Sequence, residues 1–599
     1  MDSIRIARAG HRVSPDSSFI AGEHGDAPHL GIPGNGMATT SGAGAGRLTT
    51  AIRRQGVERL EAKILDVPAL MQRVDAYVAE WMAAEHTPAI QLAVTDREGL
   101  LSRRAYGFAD LAAQQPLTDD HIFEFGSIGK SFTAILCLQL AEEGVLDLHA
   151  PVTDYLSWFF IPSRYEPITI HHLLTHTAGI IRGSDFSPDP RYEVWALRES
   201  EASAPGGKAR YSNAGYKLIG LLLENVTGKP YAQLVTERIF LPLGMTGAEG
   251  AITNDMRRRL AVGYVPMYAD RPWLPEHGHA PATWFEVNTA DGCLSASAGD
   301  LAIYLRMLLN RGAYPGGRIL SEESFALLVT PHTAFDDKFP YGYGLAVDES
   351  EGHRRIEHSG GMVGYISEMT GDPEAGLGVV AFTNAMENVS VIAEFVLNTF
   401  GAAQRGEELP DSPKAPEIDY ESYAGNYSSD NGDVTIVASP EGLILQRGGE
   451  SIALLPADRG RSKDTFLADH PDLALHVLHF RRNDDDEVIE FVHGPAWYRG
   501  ERYAGPTTFE VPDEWRAYEG HYSSHNPWFS NERYFVSKGA LCASHGGGAP
   551  RELVADGDRF RPADDPEGPE WTSFDTIVDG VALRVRQAGS NALYRFFTP

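Results

Sequence analysis

The sequence predicts a mixed α/β domain, an antiparallel sheet flanked by helices, followed by two small antiparallel β-barrels. Three observations carry this expectation. Strand-like runs open and close the first domain with helical periods between them, the composition then shifts to a linker containing Glu407-Glu408-Leu409-Pro410-Asp411-Ser412-Pro413, and a seven-residue phrase beyond it is repeated. The divisions that follow are a flexible extension over 1–60, the α/β domain over 61–402, the linker over 403–418, and barrels over 419–510 and 511–599.

The extension is rich in Gly, Ser, Ala and Pro without a sustained period, and Met37 is an alternative start. From Pro68, apolar residues at Leu70, Met71, Val74, Tyr77, Val78 and Trp81 have helical spacing. A strand-like Ala89–Thr95, the turn Asp96-Arg97-Glu98-Gly99 and a second strand follow. Phe132, Ile135, Leu136 and Leu140 then mark an amphipathic helix that Gly144 stops. Helical segments dominate from Thr169 to about Leu309. Strands return near Tyr343–Val347, Arg355–His358, Tyr365–Met369 and Gly378–Phe382, so the two ends of the domain are expected to meet in one antiparallel sheet.

Beyond the linker, Tyr423-Ala424-Gly425-Asn426-Tyr427-Ser428-Ser429 recurs 95 positions later as Tyr518-Glu519-Gly520-His521-Tyr522-Ser523-Ser524. Short strands follow each copy, at Val434–Val437 and Leu475–Leu478 in the first and at Ala582–Val585 and Leu593–Phe596 in the second. Two copies are too few for a solenoid, and two barrels with accessory roles are the expectation.

Lys and Arg number 51 against 82 Asp and Glu, a formal charge of −31, which repels phosphate backbones and anionic membranes. Nucleic acid and membrane are therefore excluded as partners. Three scattered cysteines, Cys137, Cys293 and Cys542, form neither a disulfide framework nor a zinc cluster. With no continuous apolar leader, a cytoplasmic setting is the default.

The chemistry centres on Phe125-Gly126-Ser127-Ile128-Gly129-Lys130-Ser131, where a hydroxyl and an amine stand three apart at a helix start. That spacing brings their Cβ atoms to roughly 5–6 Å, and the unpaired N–H groups of the first turn favour negative charge. A serine at a helix start is ordinarily a cap, so the motif needs company. A nucleotide-binding loop ending in Gly129-Lys130-Ser131 is set aside because Glu124 stands where its first glycine belongs. In Arg210-Tyr211-Ser212-Asn213, Tyr211 and Asn213 fall on one side of an extended segment, with an N-cap as the plainer role for Asn213. Glu357-His358-Ser359-Gly360-Gly361-Met362 ends a strand with glycines that admit close approach of a ligand. His172 and His176 have i, i+4 spacing but lack the glutamate of a zinc protease, and Glu276-His277-Gly278-His279 has no partner cluster, so neither a metal nor another cofactor is expected.

Taken together, S-x-x-K, Y-x-N and H-x-G resemble the serine β-lactamase and penicillin-binding-protein superfamily over about residues 68–400, closest to its class C-like branch and the D-aminopeptidase type. Ile168–Gly179, Gly292–Leu301 and Tyr341-Gly342-Tyr343-Gly344 look like further family segments, and two barrels after the catalytic domain match the D-aminopeptidase arrangement. The resemblance implies that Ser127 is acylated, that Lys130 and Tyr211 handle its proton with the choice of base open, and that Asn213 orients the substrate amide and Lys130. It implies an oxyanion hole from the backbone at Ser127 and the Gly360-Gly361 pair, chiefly the Gly361 N–H. His358 replaces the lysine of the β-lactamase K-T-G, which weakens the hold on a ligand carboxylate. Asp291 is the candidate partner for a substrate amine, its plain role being a turn residue. The loop Ser544-His545-Gly546-Gly547-Gly548 is a candidate gate to the cleft.

The expected function is a serine hydrolase cleaving amide bonds, a D-stereospecific aminopeptidase or amidase on short peptides or amino acid amides. The alternatives are a cyclase, transpeptidase or esterase using the same acyl-enzyme, and a non-catalytic binding module. A homodimer is a candidate assembly.

Overall fold

The structure, a computed structural model, describes residues 65–597 apart from 186–188, 336–338, 350–353, 441, 458–461 and 590. The extension over 1–60 lies outside the described residues.

Among them, nine strands build the main sheet: β1 (Ala89–Asp96), β2 (Leu100–Asp110), β3 (Gln115–Pro116), β4 (Thr333–Phe335), β5 (Phe339–Tyr341), β6 (Ala346–Asp348), β7 (Arg355–Met362), β8 (Tyr365–Asp372) and β9 (Leu377–Thr383). Their spatial order is β4-β5-β6-β7-β8-β9-β1-β2-β3. The ends of the domain do meet: β1 pairs antiparallel with β9, Ile90 opposite Thr383, and with β2 on its other side.

Strand β1 is buried on both faces, which is why it reads as a near-continuous apolar run. Ile90, Leu92 and Val94 face α1 (Val67–Glu85) and α5 (Ser390–Arg405), joining Trp81, Val78, Val396 and Phe400. Ala89 and Ala93 face the larger core holding α2 (Gly129–Glu142), α3 (Asn213–Thr227) and α4 (Ala298–Leu309). Small alanines suit that side because α4 lies directly on β1 and β9.

Helix α2 departs from the amphipathic expectation. Phe132, Ile135, Leu136 and Leu140 are buried as the spacing predicts, but so are Lys130, Thr133, Ala134, Cys137 and Leu138. A helix enclosed on nearly every side sits at the centre of the domain, and the Phe132 ring stacks on Tyr304 of α4 at 3.7 Å to complete its packing. The strand expected from Tyr343 begins only at Ala346, because Gly344 turns with φ +69° where a Cβ would meet the Lys130 backbone at 2.7 Å.

The two repeats each close into a barrel of eight strands among the described residues, Tyr427 pairing with Gly500 and Tyr522 with Arg595. The repeated phrase has one structural job. Tyr427 donates to the Tyr423 carbonyl at 2.8 Å, and Tyr522 donates to the Tyr518 carbonyl at 2.9 Å. The strand expected at Leu475–Leu478 starts at Leu478 instead; Leu475 and His476 form a turn, and the His476 ring packs on Phe535 of the second barrel. The second barrel docks on the first domain through Trp571 and Ala588, which are buried in that domain's core. Among the described residues no helix is long and apolar enough to cross a membrane.

Candidate active site

Ser127 lies in the single tight turn Gly126–Ile128 that feeds α2, half-buried and open to a cleft. One turn later the fully buried Lys130 donates to Ser127 Oγ at 3.0 Å and to the Asp291 carbonyl at 2.7 Å. The ammonium also stands 4.7 Å from the Tyr211 ring centroid. A cation in a site closed to water, with an oxygen, a carbonyl and an aromatic face as its surroundings, is aimed at the hydroxyl rather than solvated.

The turn is held from the sheet side. Ser367 of β8 donates to the Phe125 carbonyl at 2.8 Å, and Gly360 of β7 lies so close that a Cβ there would fall 2.0 Å from the same carbonyl oxygen. Glycine is therefore required at 360 for strand β7 to approach the nucleophile. Gly361, its neighbour, lines the cleft beside Ser127.

Tyr211 is half-buried and stacks on His176, ring centroids 4.3 Å apart. His176 in turn accepts the Ser212 N–H at Nδ1, 3.0 Å away, so one buried ring sets both the plane and the backbone of the Tyr211 segment. Burial, then the charge of Lys130, keeps His176 neutral, well below its ordinary pKa.

His358 is buried on β7. Its Nδ1 donates to the Ser359 carbonyl at 2.5 Å, and its Nε2 accepts the Tyr341 hydroxyl at 3.0 Å. Burial and the nearby Lys130 pull its pKa from 6.5 to about 4. A neutral ring spent on two protein partners offers no cation to a ligand carboxylate.

The cleft, about 120 Å³, is lined by Ser127, Asn213, Asp291, Gly361 and Phe285, and by Trp528 from the second barrel. Asp185 and Lys217 also line it and, with Asp291 and Glu193, make a buried charge cluster. Lys217 of α3 contacts Asp185 at 2.9 Å, Glu193 at 2.7 Å and Asp291 at 3.7 Å. Burial opposes the Lys217 charge, but Asp291, Asp185 and Glu193 together hold its pKa well above the ordinary value. Burial likewise pushes the Asp185 carboxyl up, yet Lys217 brings it below its usual range, whereas burial wins at Glu193 and raises it. One lysine thus serves three carboxylates.

The structure brings together Ser127, Lys130, Tyr211, His358, Asn213, Gly361 and Asp291, with Gly360 beneath them. Two expectations change. The Asn213 side-chain N–H donates to Asp185 at 2.8 Å, and its Oδ1 accepts nothing from Lys130, which donates to Ser127 and the Asp291 carbonyl instead. The loop Ser544–Gly548 does not reach the cleft: His545, Gly546 and Gly547 line a separate, larger cavity, and Trp528 is the barrel residue at the cleft. Lys217, Asp185, Glu193 and Trp528 escaped the sequence reading. The one signal was Lys217, a charge inside the apolar run Tyr216-Lys217-Leu218-Ile219 and four residues from Asn213 on one helix.

Comparison with known proteins agrees with this geometry. The family model described as Beta-lactamase matches residues 74–398, more than half of the chain. Penicillin-binding protein 4 of Amycolatopsis lactamdurans is 28% identical over 384 residues, covering 60% of this chain and 97% of that protein. Esterase EstB of Burkholderia gladioli is 34% identical over 281 residues, covering 42% of this chain and 67% of the esterase. The octameric penicillin-binding protein homologue from Pyrococcus abyssi superposes with a TM-score of 0.53 at 24% identity, over 72% of this chain and all of that one, a likeness of fold. On the match over residues 74–398, the chain belongs to the beta-lactamase family of serine hydrolases, which act through an acyl-enzyme.

Proposed function

We infer that this chain removes the N-terminal residue, in the D configuration, from short peptides or amino acid amides. The observation that carries the reading is the Lys130 to Ser127 contact of 3.0 Å opening onto a cleft with an unpaired carboxylate oxygen: Asp291 Oδ1 is buried there without a hydrogen-bond partner, as is Asn213 Oδ1. Such acceptors suit a substrate ammonium. The D configuration rests on the likeness of His358-Ser359-Gly360 to the D-aminopeptidase type.

In this reading Ser127 Oγ attacks the carbonyl carbon, and its proton passes through Lys130 and Tyr211 to the leaving nitrogen as the C–N bond breaks. The N–H groups of Ser127 and Gly361 receive the oxyanion, each donor contributing about 3–4 kcal/mol. Water then adds to the acyl carbon, its proton returns to Ser127, and the free amino acid leaves. Neutral His358 supports a substrate without a carboxylate at that position, which argues against efficient β-lactam turnover.

An ester substrate is the second reading, supported by the 34% identity to a protein named an esterase. Interception of the acyl-enzyme by an amine in place of water uses the same groups. The test is a fluorophosphonate probe followed by D- and L-aminoacyl p-nitroanilides. Labelling that disappears in Ser127→Ala supports the acyl-enzyme, no labelling overturns it, and equal rates for the two enantiomers remove the D-specific part.

A further inference from the structure

A second cavity of about 1200 Å³ opens where the first domain, the linker and both barrels meet. Large apolar side chains are left exposed around it: Tyr268 at 46%, Leu455 at 40% and Met386 at 38%, with Trp273 and Leu274 deeper in. Apolar surface gathered at one concave place is the mark of a binding site rather than of ordinary exterior.

Three separate segments border both this cavity and the Ser127 cleft. Trp528 lines each of them; Met362 lines the cleft and the next residue, Val363, lines the cavity; Phe285 and Val287 line the cleft and Thr283 the cavity. The two spaces are thus neighbours across one thin partition. The cleft, at about 120 Å³, has room for a single aminoacyl unit, so whatever is attached to it must continue elsewhere.

We propose that the large cavity receives the departing portion of the substrate, a peptide with apolar side chains beyond the scissile bond, so that this enzyme prefers hydrophobic oligopeptides to amino acid amides. The proposal rests on the aminopeptidase reading and names its substrate class. The walls fit this occupant. Trp273 and Trp528 present flat faces, Tyr268 and Met386 present adaptable apolar area, and His525, His545 and Ser530 supply polar groups for peptide carbonyls and amides. The charged groups of the same wall, Glu85, Glu387 and Arg271, are of both signs and do not select an anion.

The experiment measures kcat/KM for D-Ala amide and for D-Ala followed by one, two and three leucines and closed by a C-terminal amide, in the wild type, Leu455→Glu and Met386→Glu. Leu455 and Met386 are partly exposed, the Met386 sulfur accepting the Gly364 N–H, and circular dichroism checks the fold of both variants. Expected is a rise of about tenfold for each leucine that becomes buried, carried mainly by KM, and a fall of the longest-to-shortest ratio by at least ~fivefold in each variant. Competitive inhibition of the longest substrate by the uncharged N-phenyl-1-naphthylamine would agree with that result. A flat wild-type series, or a rise that survives both substitutions, overturns the proposal while leaving the hydrolase intact. Absence of turnover throughout, with no adduct at Ser127, overturns the parent reading and this one together.

Discussion

Asp565 of the second barrel holds Arg210 through two parallel hydrogen bonds of 2.7 and 2.9 Å, and Arg210 is the residue immediately before Tyr211. The pair is mostly buried, side-chain exposure being 15% and 23%, and Arg210 holds the Asp565 carboxyl below its usual pKa range. Around it, Glu570 accepts the Arg182 N–H at 2.6 Å, and Asn526 donates to the Ser184 carbonyl at 2.8 Å. Two of the first-domain segments that frame the cleft, 182–185 and the one that begins at Arg210, are therefore pinned by the last barrel.

Releasing that clamp should loosen Tyr211 without touching the nucleophile. Asp565→Ala is expected to cost about 1.5–3 kcal/mol of stability and to lower kcat by ~tenfold or more, with KM for a small amide less affected. Asp565→Asn, which still accepts from Arg210, should recover part of the rate. Steady-state kinetics and denaturant titration of the three proteins decide it, and equal kcat in all three would show the clamp to be purely structural.

Gly360→Ala tests the approach of β7 to the nucleophile. The added Cβ would meet the Phe125 carbonyl oxygen at 2.0 Å and Ser367 Oγ at 2.5 Å, so backbone must move two residues before Ser127. A loss of about 1–3 kcal/mol is expected, with labelling of Ser127 by fluorophosphonate slowed far more than the stability change explains. Gly361→Ala, whose Cβ would find only Ile366 at an ordinary 3.5 Å, is the milder control for packing.

Lys217→Met removes the cation that Asp185, Glu193 and Asp291 share. Leaving buried carboxylates unpaired costs about 3–5 kcal/mol near neutral pH. Because carboxylates without their lysine have raised pKa values, the variant should regain part of its stability as the pH falls toward 5, opposite to the wild type. Urea melts across that range measure the sign directly.

His358 supplies the wild-type direction. Its pKa is about 4 folded and 6.5 in the ordinary state, so the unfolded chain binds the extra proton between those values. The stability tied to the neutral ring is complete above pH 6.5 and is lost as the pH drops toward 4, by on the order of 3 kcal/mol. His358→Gln should flatten that part of the pH-stability curve. A curve as steep as the wild type's would assign the slope to other groups.

How much of this could be read beforehand follows from the range of each interaction. Ser127 and Lys130 were legible because one helical turn sets their distance, and the repeated tyrosines because each hydrogen-bonds four residues back along its own chain. The turn at Gly344 has the local pattern of a strand, and what forces it is the Lys130 backbone, more than two hundred positions away. Lys217 looked like an ordinary helix lysine, since Asp185, Glu193 and Asp291 reach it only through folding. Trp528 gave no local hint at all: its place at the cleft depends on how a barrel docks. Leu475–Leu478 alternates as a strand would, yet Leu475 and His476 form a turn in which the His476 ring packs on Phe535 of the other barrel.

The order of synthesis gives the clamp a further meaning. The pairing of β1 with β9 cannot form until Thr383 has left the ribosome to lie opposite Ile90, and the brace on Arg210, beside Tyr211, waits until Asp565 has followed. A chain that grows from its N-terminus and folds unit by unit thus displays its nucleophile early and its tyrosine support last. The full rate is therefore expected only after the final barrel has seated on the first domain.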